Sequence, residues 1–120
     1  MAAISTLIIA ISIFQLANGF FGTLVSLRVS VEGFSGPLGG LVLSAYFAGY
    51  TVGAVRCGRI IERIGHIRAF AAFAGITASA AAAMPVAVSA VIWIILRAGI
   101  GFGAAGVTIT TESWLNAKTE

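Results

Sequence analysis

The stretch that decides the fold is GYTVGAVRCGRIIERIGHIR, which runs from Gly49 to Arg68. Its first half is apolar and rich in small residues, whereas its second half is basic. Four of the seven basic residues of the chain lie there, namely Arg56, Arg59, Arg63 and Arg68. A cluster of arginines between two long apolar runs is typical of a loop on the cytoplasmic side of a membrane. We therefore expect a cytoplasmic loop at about residues 58–68.

The composition also indicates a membrane protein. The chain has 120 residues, of which 59% are hydrophobic and only 9% are charged, whereas about a quarter of a soluble domain is charged. The net charge of +3 would suggest nucleic-acid binding in a soluble protein. Because the arginine cluster explains much of that charge here, we expect no nucleic-acid partner. The single cysteine, Cys57, excludes an internal disulfide.

The apolar runs on either side of this stretch predict four transmembrane helices. The uncharged run Ile4–Leu27 exceeds the roughly 20 residues that cross a bilayer, and it is too long for a signal peptide. The apolar run 69–111 would be about 65 Å long as one helix, about twice the roughly 30 Å of the hydrocarbon core. We therefore expect a turn at Pro85. The predicted helices cover about residues 4–28, 38–60, 65–84 and 88–111.

Four crossings would place both ends of the chain on the same side of the membrane. The basic loop places that side in the cytoplasm, and Lys118 agrees, whereas Arg28 and Glu32 would lie outside. The expected protein is thus an all-α integral membrane protein with both ends in the cytoplasm. Small residues predict a tightly packed bundle, because lipid provides no hydrophobic drive between helices. They include Gly49, Gly53, Gly99, Gly101, Gly103 and Gly106.

The opening stretch resembles the signature loop between the second and third helices of the major facilitator superfamily. The family pattern is a glycine, four residues, a second glycine, and then an acid-Arg-x-Gly-basic-x-basic ending. The matching positions are Gly53, Gly58, Glu62, Arg63, Gly65, His66 and Arg68. The family usually has aspartate where this chain has Glu62, so the charge is kept and the reach grows by one methylene. The resemblance implies a gate latch formed by Glu62, Arg63 and Arg68.

The chemistry of this loop can also be argued without the resemblance. Gly65 would relieve steric limits in a short turn between two helices. Glu62 is expected near the start of the third helix, where the helix dipole favours an acid. Arg59, Arg63 and Arg68 could pair with it or with anionic lipid headgroups. The alternative is a plain basic loop that only sets topology.

A second resemblance lies in the fourth predicted span, in RAGIGFGAAG from Arg97 to Gly106. The superfamily often carries Arg-x-x-x-Gly there, matched by Arg97 and Gly101, and the resemblance implies a role in proton coupling. A charged residue inside a bilayer is costly and usually faces a cavity or a partner. The alternative is an arginine that snorkels to the interface, although Arg97 lies roughly 13 Å into the predicted span.

The segment 111–116, TESWLN, resembles a stretch of the YcaD-like bacterial branch of the superfamily. Glu112 would lie at the cytoplasmic end of the fourth helix, near the basic loop. We hypothesise that it pairs with Arg63 or Arg68.

Polar residues in the spans are candidate substrate contacts. The first and fourth helices of the superfamily line the central cavity, which implies this role for Gln15 and Asn18, and Tyr46 is a third candidate. Polar packing between helices is the alternative for each of them. The sequence has no metal-ligand cluster, nucleophile triad or phosphate-binding loop, so we expect neither a cofactor nor an enzyme.

The expected function is secondary active transport of a small molecule, coupled to protons. The superfamily fold has twelve helices, so residues 1–120 would be a partial N-terminal bundle whose partners are the missing C-terminal helices, the substrate and the bilayer. One alternative is a complete four-helix exporter of the small multidrug-resistance kind. Such exporters rely on a glutamate in the first helix, and Ile4–Leu27 has no acid. The other is a non-transporting four-helix membrane subunit.

Overall fold

The chain is all-α in a computed structural model that describes residues 2–34, 36–86 and 89–119, without the side chains of residues 2, 3, 118 and 119. Four helices follow one another: α1 (Ala2–Val31), α2 (Gly36–Ile64), α3 (His66–Ala83) and α4 (Ala90–Thr119). Three of them, α1, α2 and α4, are long and apolar enough to cross a membrane. The predicted all-α class is confirmed, and the three long apolar helices are compatible with the predicted membrane location. The side chain of Lys118, which supports the predicted orientation, lies outside the described residues.

Helix α3 is the shortest of the four and is not among the three candidate spans. It has 18 residues, which is about 27 Å of helix against a hydrocarbon core of roughly 30 Å. Its first turn also contains His66 and Arg68, which lower its hydropathy. The predicted count of four spans therefore stays a prediction.

Helices α1, α2 and α4 are longer than the sequence predicted, α3 is slightly shorter, and the loop between α2 and α3 is shorter. Helix α2 continues to Ile64 and α3 begins at His66, so Gly65 alone replaces the predicted loop 58–68. The prediction equated charged residues with loop, but arginine and glutamate are among the better helix formers. The predicted fourth-helix start at Val88 lies outside the described residues, whereas Pro85 lies in a turn as expected.

The chain turns back at Gly65. Placed end to end, α2 and α3 would be about 70 Å long, whereas the longest dimension of the molecule is 50 Å. Gly65 has a φ of 87° and a ψ of 168°, a conformation that is essentially restricted to glycine. One residue can make this turn because it has no side chain.

Helix α4 is the centre of the bundle, because it packs along both α2 and α3, while α1 makes only slight contact with the others. The backbones of α2 and α4 touch directly. A Cβ added to Gly49 would collide with the Ala98 carbonyl, and one added to Gly101 would collide with the Tyr46 carbonyl. A Cβ on Gly53 would lie 2.7 Å from the Phe102 carbonyl oxygen. Such close approach replaces the missing hydrophobic drive between helices in lipid.

Larger side chains fill the space on either side of this contact. One cluster of buried residues surrounds Trp93, Val42 and Met84, and the indole nitrogen of Trp93 donates a 2.9 Å hydrogen bond to the Met84 carbonyl. The second cluster surrounds Phe73 and Val107, between α3 and α4. The outward surface is apolar as well, which suits a lipid environment.

Substitution of Gly101 by alanine should weaken the bundle, because the new methyl group would push α2 away from α4. We expect Gly101→Ala to lower the free energy of unfolding by about 1–3 kcal/mol, measured by sodium dodecyl sulfate titration in maltoside micelles with tryptophan fluorescence. The matched control is Gly40→Ala in α2, where a Cβ meets nothing within 4 Å. The control should be neutral or stabilising by up to about 1 kcal/mol. Equal effects of the two substitutions would contradict the close contact.

Candidate functional site

Three of the predicted site residues meet in the interior of the bundle, although they come from three different helices. The Asn18 side-chain amide on α1 donates a 2.7 Å hydrogen bond to the Tyr46 hydroxyl on α2. The guanidinium carbon of Arg97 on α4 lies 4.8 Å from the centroid of the Tyr46 ring. We call Asn18, Tyr46 and Arg97 the polar cluster. The sequence suggested each residue separately, and the structure brings them together.

Arg97 is buried inside the protein and does not snorkel. Only 6% of it is exposed, and its Nε and Nη1 atoms have no hydrogen-bond partner among the described residues. The Tyr46 ring provides a cation–π attraction of about 0.5–2 kcal/mol. Burying an ion costs several kcal/mol, so the ring compensates only part of the cost. The cluster therefore holds a positive charge that is only partly balanced.

The spacing of Arg97 and Gly101 explains how the guanidinium reaches Tyr46. Residues four apart lie on the same face of a helix, and side chains tilt toward its N-terminus. Gly101 brings α4 against the backbone carbonyl of Tyr46, so Arg97, one turn earlier, is placed beside the Tyr46 ring. The Arg-x-x-x-Gly pattern thus has a geometric meaning in this chain: the glycine positions the arginine.

A second polar contact joins α1 to α4. The Gln15 side-chain amide donates a 3.0 Å hydrogen bond to the Thr108 hydroxyl. Gln15 and Asn18 are three residues apart, so they share one face of α1. The sequence predicted Gln15 but not Thr108, because a threonine in an apolar helix usually bonds to its own backbone. These polar contacts hold a helix that has few others.

An apolar groove of about 600 Å³, open to the surface, lies between α1, α3 and α4. Asn18 and Thr77 are among the residues that line it, and so are aromatic side chains from α1 and α3. Three of the aromatic residues are Phe14, Phe21 and Phe70. Asn18 therefore lines the groove and also donates to Tyr46, whereas neither Tyr46 nor Arg97 lines the groove.

Three of the four glycines in the stretch from Gly49 to Arg68, here called the signature stretch, have different surroundings. Gly53 lies against the backbone of α4, and Gly65 has a positive φ that side-chain-bearing residues rarely adopt. A Cβ on Gly58 would meet nothing within 4 Å. Packing and backbone conformation therefore account for Gly53 and Gly65, but nothing within the described chain requires a glycine at position 58.

One charged residue of this stretch, Glu62, does not lie where the sequence predicted. Glu62 is in the last turn of α2, not at the start of the third helix, because α2 continues to Ile64. The negative end of the helix dipole disfavours an acid there. Glu62, Arg63 and Arg68 are exposed. Within the described ranges the one ion pair joins Arg28 to Glu32 at 2.7 Å, so the latch role stays a prediction.

The hypothesised pair between Glu112 and Arg63 or Arg68 is not formed in the structure. Instead, His66 Nε2 lies 3.0 Å from the Ser113 hydroxyl, and its ring stacks on Trp114 with centroids 6.1 Å apart. Consecutive residues of a helix point about 100° apart, so Glu112 is exposed when its neighbour Ser113 faces α3. A hydrogen bond and ring stacking, rather than an ion pair, join the end of α4 to α3.

Comparison of the chain with protein-family models, with curated proteins and with solved structures finds no match. In the part of the chain that the structure describes, no three His, Cys, Asp or Glu side chains are grouped as a metal site would require.

Gly65→Ala should be destabilising and Gly58→Ala should not, although both replace a glycine of the same stretch. Alanine at position 65 would have to hold a φ of 87°, at a cost of about 1–3 kcal/mol. Gly58 is helical and has open space around its Cβ position, so alanine there should leave stability unchanged or slightly raised. The measurement is the free energy of unfolding in detergent micelles. A tolerant position 65 would show that the turn differs from the one described.

Proposed function

We propose that this chain is the N-terminal part of a proton-coupled secondary transporter of the major facilitator type, in a bacterial inner membrane with both ends in the cytoplasm. The observation that carries the proposal is Arg97, a buried cation between membrane-spanning helices that has no carboxylate partner in the described chain. In this proposal the polar cluster lines the pathway of the substrate and the proton.

The cost of Arg97 supports a transport role over a purely structural one. A charged residue at the centre of a membrane helix costs about 2.5–3.5 kcal/mol even on the mildest scale, and such residues mark substrate or ion pathways. The α2–α4 contact does not need the charge, because Gly49, Gly53 and Gly101 already bring the backbones together. If α4 served only as a scaffold, the bundle would be more stable with leucine than with arginine at position 97, because leucine carries no charge to bury.

The proposal includes α3 as a fourth span. Its length of about 27 Å is close to the thickness of the hydrocarbon core, and His66 and Arg68 would lie at the cytoplasmic headgroups. The contact of His66 with Ser113 and Trp114 then holds the cytoplasmic ends of α3 and α4 together. An even number of spans would place both chain ends on the same side, and the arginines at the end of α2 favour the cytoplasm as that side.

The signature stretch supports the assignment to the major facilitator type and the need for further helices. Glu62, Arg63 and Arg68 are exposed and have no ion pair with one another within the described ranges. A latch requires a partner on the other half of the transporter, which would be supplied by C-terminal helices that continue this chain. In this proposal, Glu62, Arg63 and Arg68 form the gate latch, and the transporter belongs to the YcaD-like branch of the superfamily.

The coding sequence that follows Glu120 should encode eight further apolar spans. In proteoliposomes of that longer protein, a substrate found by screening sugars and drugs should collapse an imposed proton gradient, followed with a pH-sensitive dye. We expect Arg97→Gln to abolish the proton movement, because the buried charge on the pathway is lost. Arg28→Gln is the matched control, since Arg28 is exposed and pairs with Glu32 at one end of the bundle.

Two results would contradict the proposal. One is a coding sequence that encodes no further spans after Glu120. The other is substrate-driven proton movement by residues 1–120 alone, for example with ethidium, which is the behaviour of a complete small exporter.

A further inference from the structure

Three arginines of the signature stretch lie on one face of α2. Arg56, Arg59 and Arg63 are three and four residues apart, so all three fall within about 60° of the helix circumference. Each is exposed, and none of them forms an ion pair within the described part of the chain. The sequence grouped Arg59 and Arg63 with Arg68, whereas the structure places Arg68 on α3. We call Arg56, Arg59 and Arg63 the arginine face.

A basic groove of about 950 Å³, open to the surface, follows the arginine face. Two apolar residues and one acid also line it, namely Val55, Ile60 and Glu62. The three guanidinium groups and the one carboxylate leave two net positive charges, so charge complementarity favours an anion as the occupant. The negative end of the helix dipole opposes an anion mainly in the last turn, and Arg56 and Arg59 lie before that turn.

The arginine face begins where the apolar part of α2 ends. Residues 36–55 contain no charged side chain and form about 30 Å of helix, which equals the thickness of the hydrocarbon core. The arginine face occupies roughly the next 10 Å, where the polar headgroup region lies. Because α2 is long and apolar enough to cross a membrane, its three guanidinium groups would then be at the level of the lipid phosphates.

Apolar surface continues from the arginine face toward the middle of α2. Val52 lies four residues before Arg56, on the same side of the helix, and Val55 lies next to Arg56. The two valines are 50% and 78% exposed. A free phosphate or an acidic peptide would contact the arginines and leave both valines uncovered. A phospholipid covers both parts of this surface, because its phosphate and its acyl chains are joined in one molecule.

We infer that the arginine face binds the phosphodiester of an anionic phospholipid whose acyl chains lie along Val52 and Val55. The planar guanidinium groups donate to the phosphate oxygens, and hydrogen bonds between ions are about twice as strong as neutral ones. The two net positive charges disfavour a lipid whose headgroup also carries a cation. The inference goes beyond the proposed function, since it needs a bilayer but neither transport nor further helices. It shares Arg63 alone with the proposed latch.

The test uses the purified chain in uncharged maltoside micelles, with dioleoyl phosphatidylglycerol as the probe and native mass spectrometry to count bound lipid. We expect saturable binding, about tenfold or more tighter than that of dioleoyl phosphatidylcholine, which has the same acyl chains and no net charge. Arg56→Gln and Arg59→Gln should each weaken phosphatidylglycerol binding about fivefold. Glu62→Gln should tighten it, because a carboxylate is removed from the basic groove.

The control is Arg28→Gln, at the other end of the bundle, which should bind phosphatidylglycerol like the wild type. Arg68→Gln is the matched comparison, since it removes an exposed charge near the turn at Gly65 without altering the basic groove. It should weaken binding less than Arg59→Gln does. The glutamine variants should fold, because they replace exposed side chains with another good helix former, and circular dichroism checks this.

The inference is overturned if phosphatidylcholine binds as tightly as phosphatidylglycerol, or if Arg68→Gln weakens binding as much as Arg59→Gln, which would indicate a diffuse charge effect. Displacement of the lipid by an equal concentration of glycerol 3-phosphate would identify a free phosphate as the ligand, and displacement by hexaglutamate would identify an acidic protein segment. A glutamine variant that does not fold would also contradict it, because the arginine would then serve the fold. A coding sequence without further spans would contradict the proposed function and leave lipid binding unchanged.

Discussion

The direct backbone contact between α2 and α4 is the constraint on which the rest of the structure depends. The carbonyls of Ala98 and Tyr46 occupy the space that side chains would need at Gly49 and Gly101. In lipid this close approach takes the place of hydrophobic attraction between helices. It also fixes the register of the two helices, because a glycine of each helix lies against a backbone carbonyl of the other. The positions of Tyr46 and Arg97 follow from that register.

The polar cluster lowers the stability of the folded bundle, and the tight packing around it offsets this loss. A buried and partly compensated arginine destabilises a bundle by several kcal/mol, and the well-packed contacts of α4 with α2 and α3 oppose that cost. Helix α1 is different, since it makes only slight contact with the other helices. The Asn18 and Gln15 hydrogen bonds therefore matter more for its position.

The signature stretch separates into residues that the fold needs and residues that it does not. The fold needs Gly53 for its backbone contact with α4 and Gly65 for its positive φ. It uses His66 for a side-chain contact with α4. The charged side chains of Glu62, Arg63 and Arg68 are exposed and serve no packing role within the described chain. Surface charges of this kind are free to meet a partner or headgroups, which is why the latch role belongs to a larger assembly.

The sequence by itself determined the all-α membrane class, the turn at Pro85 and the need for glycine at position 65, because apolar run length and backbone sterics are local properties. It placed the loop wrongly over residues 58–68, since hydropathy does not register that arginine and glutamate favour helix. Only the tertiary structure decided that Asn18 meets Tyr46, 28 positions away, and that Arg97 lies beside the same ring. It also turned Glu112 away from the arginines and brought Ser113 to His66. Such contacts depend on helix rotation and register, which are set by the α2–α4 backbone contact and not by any one segment.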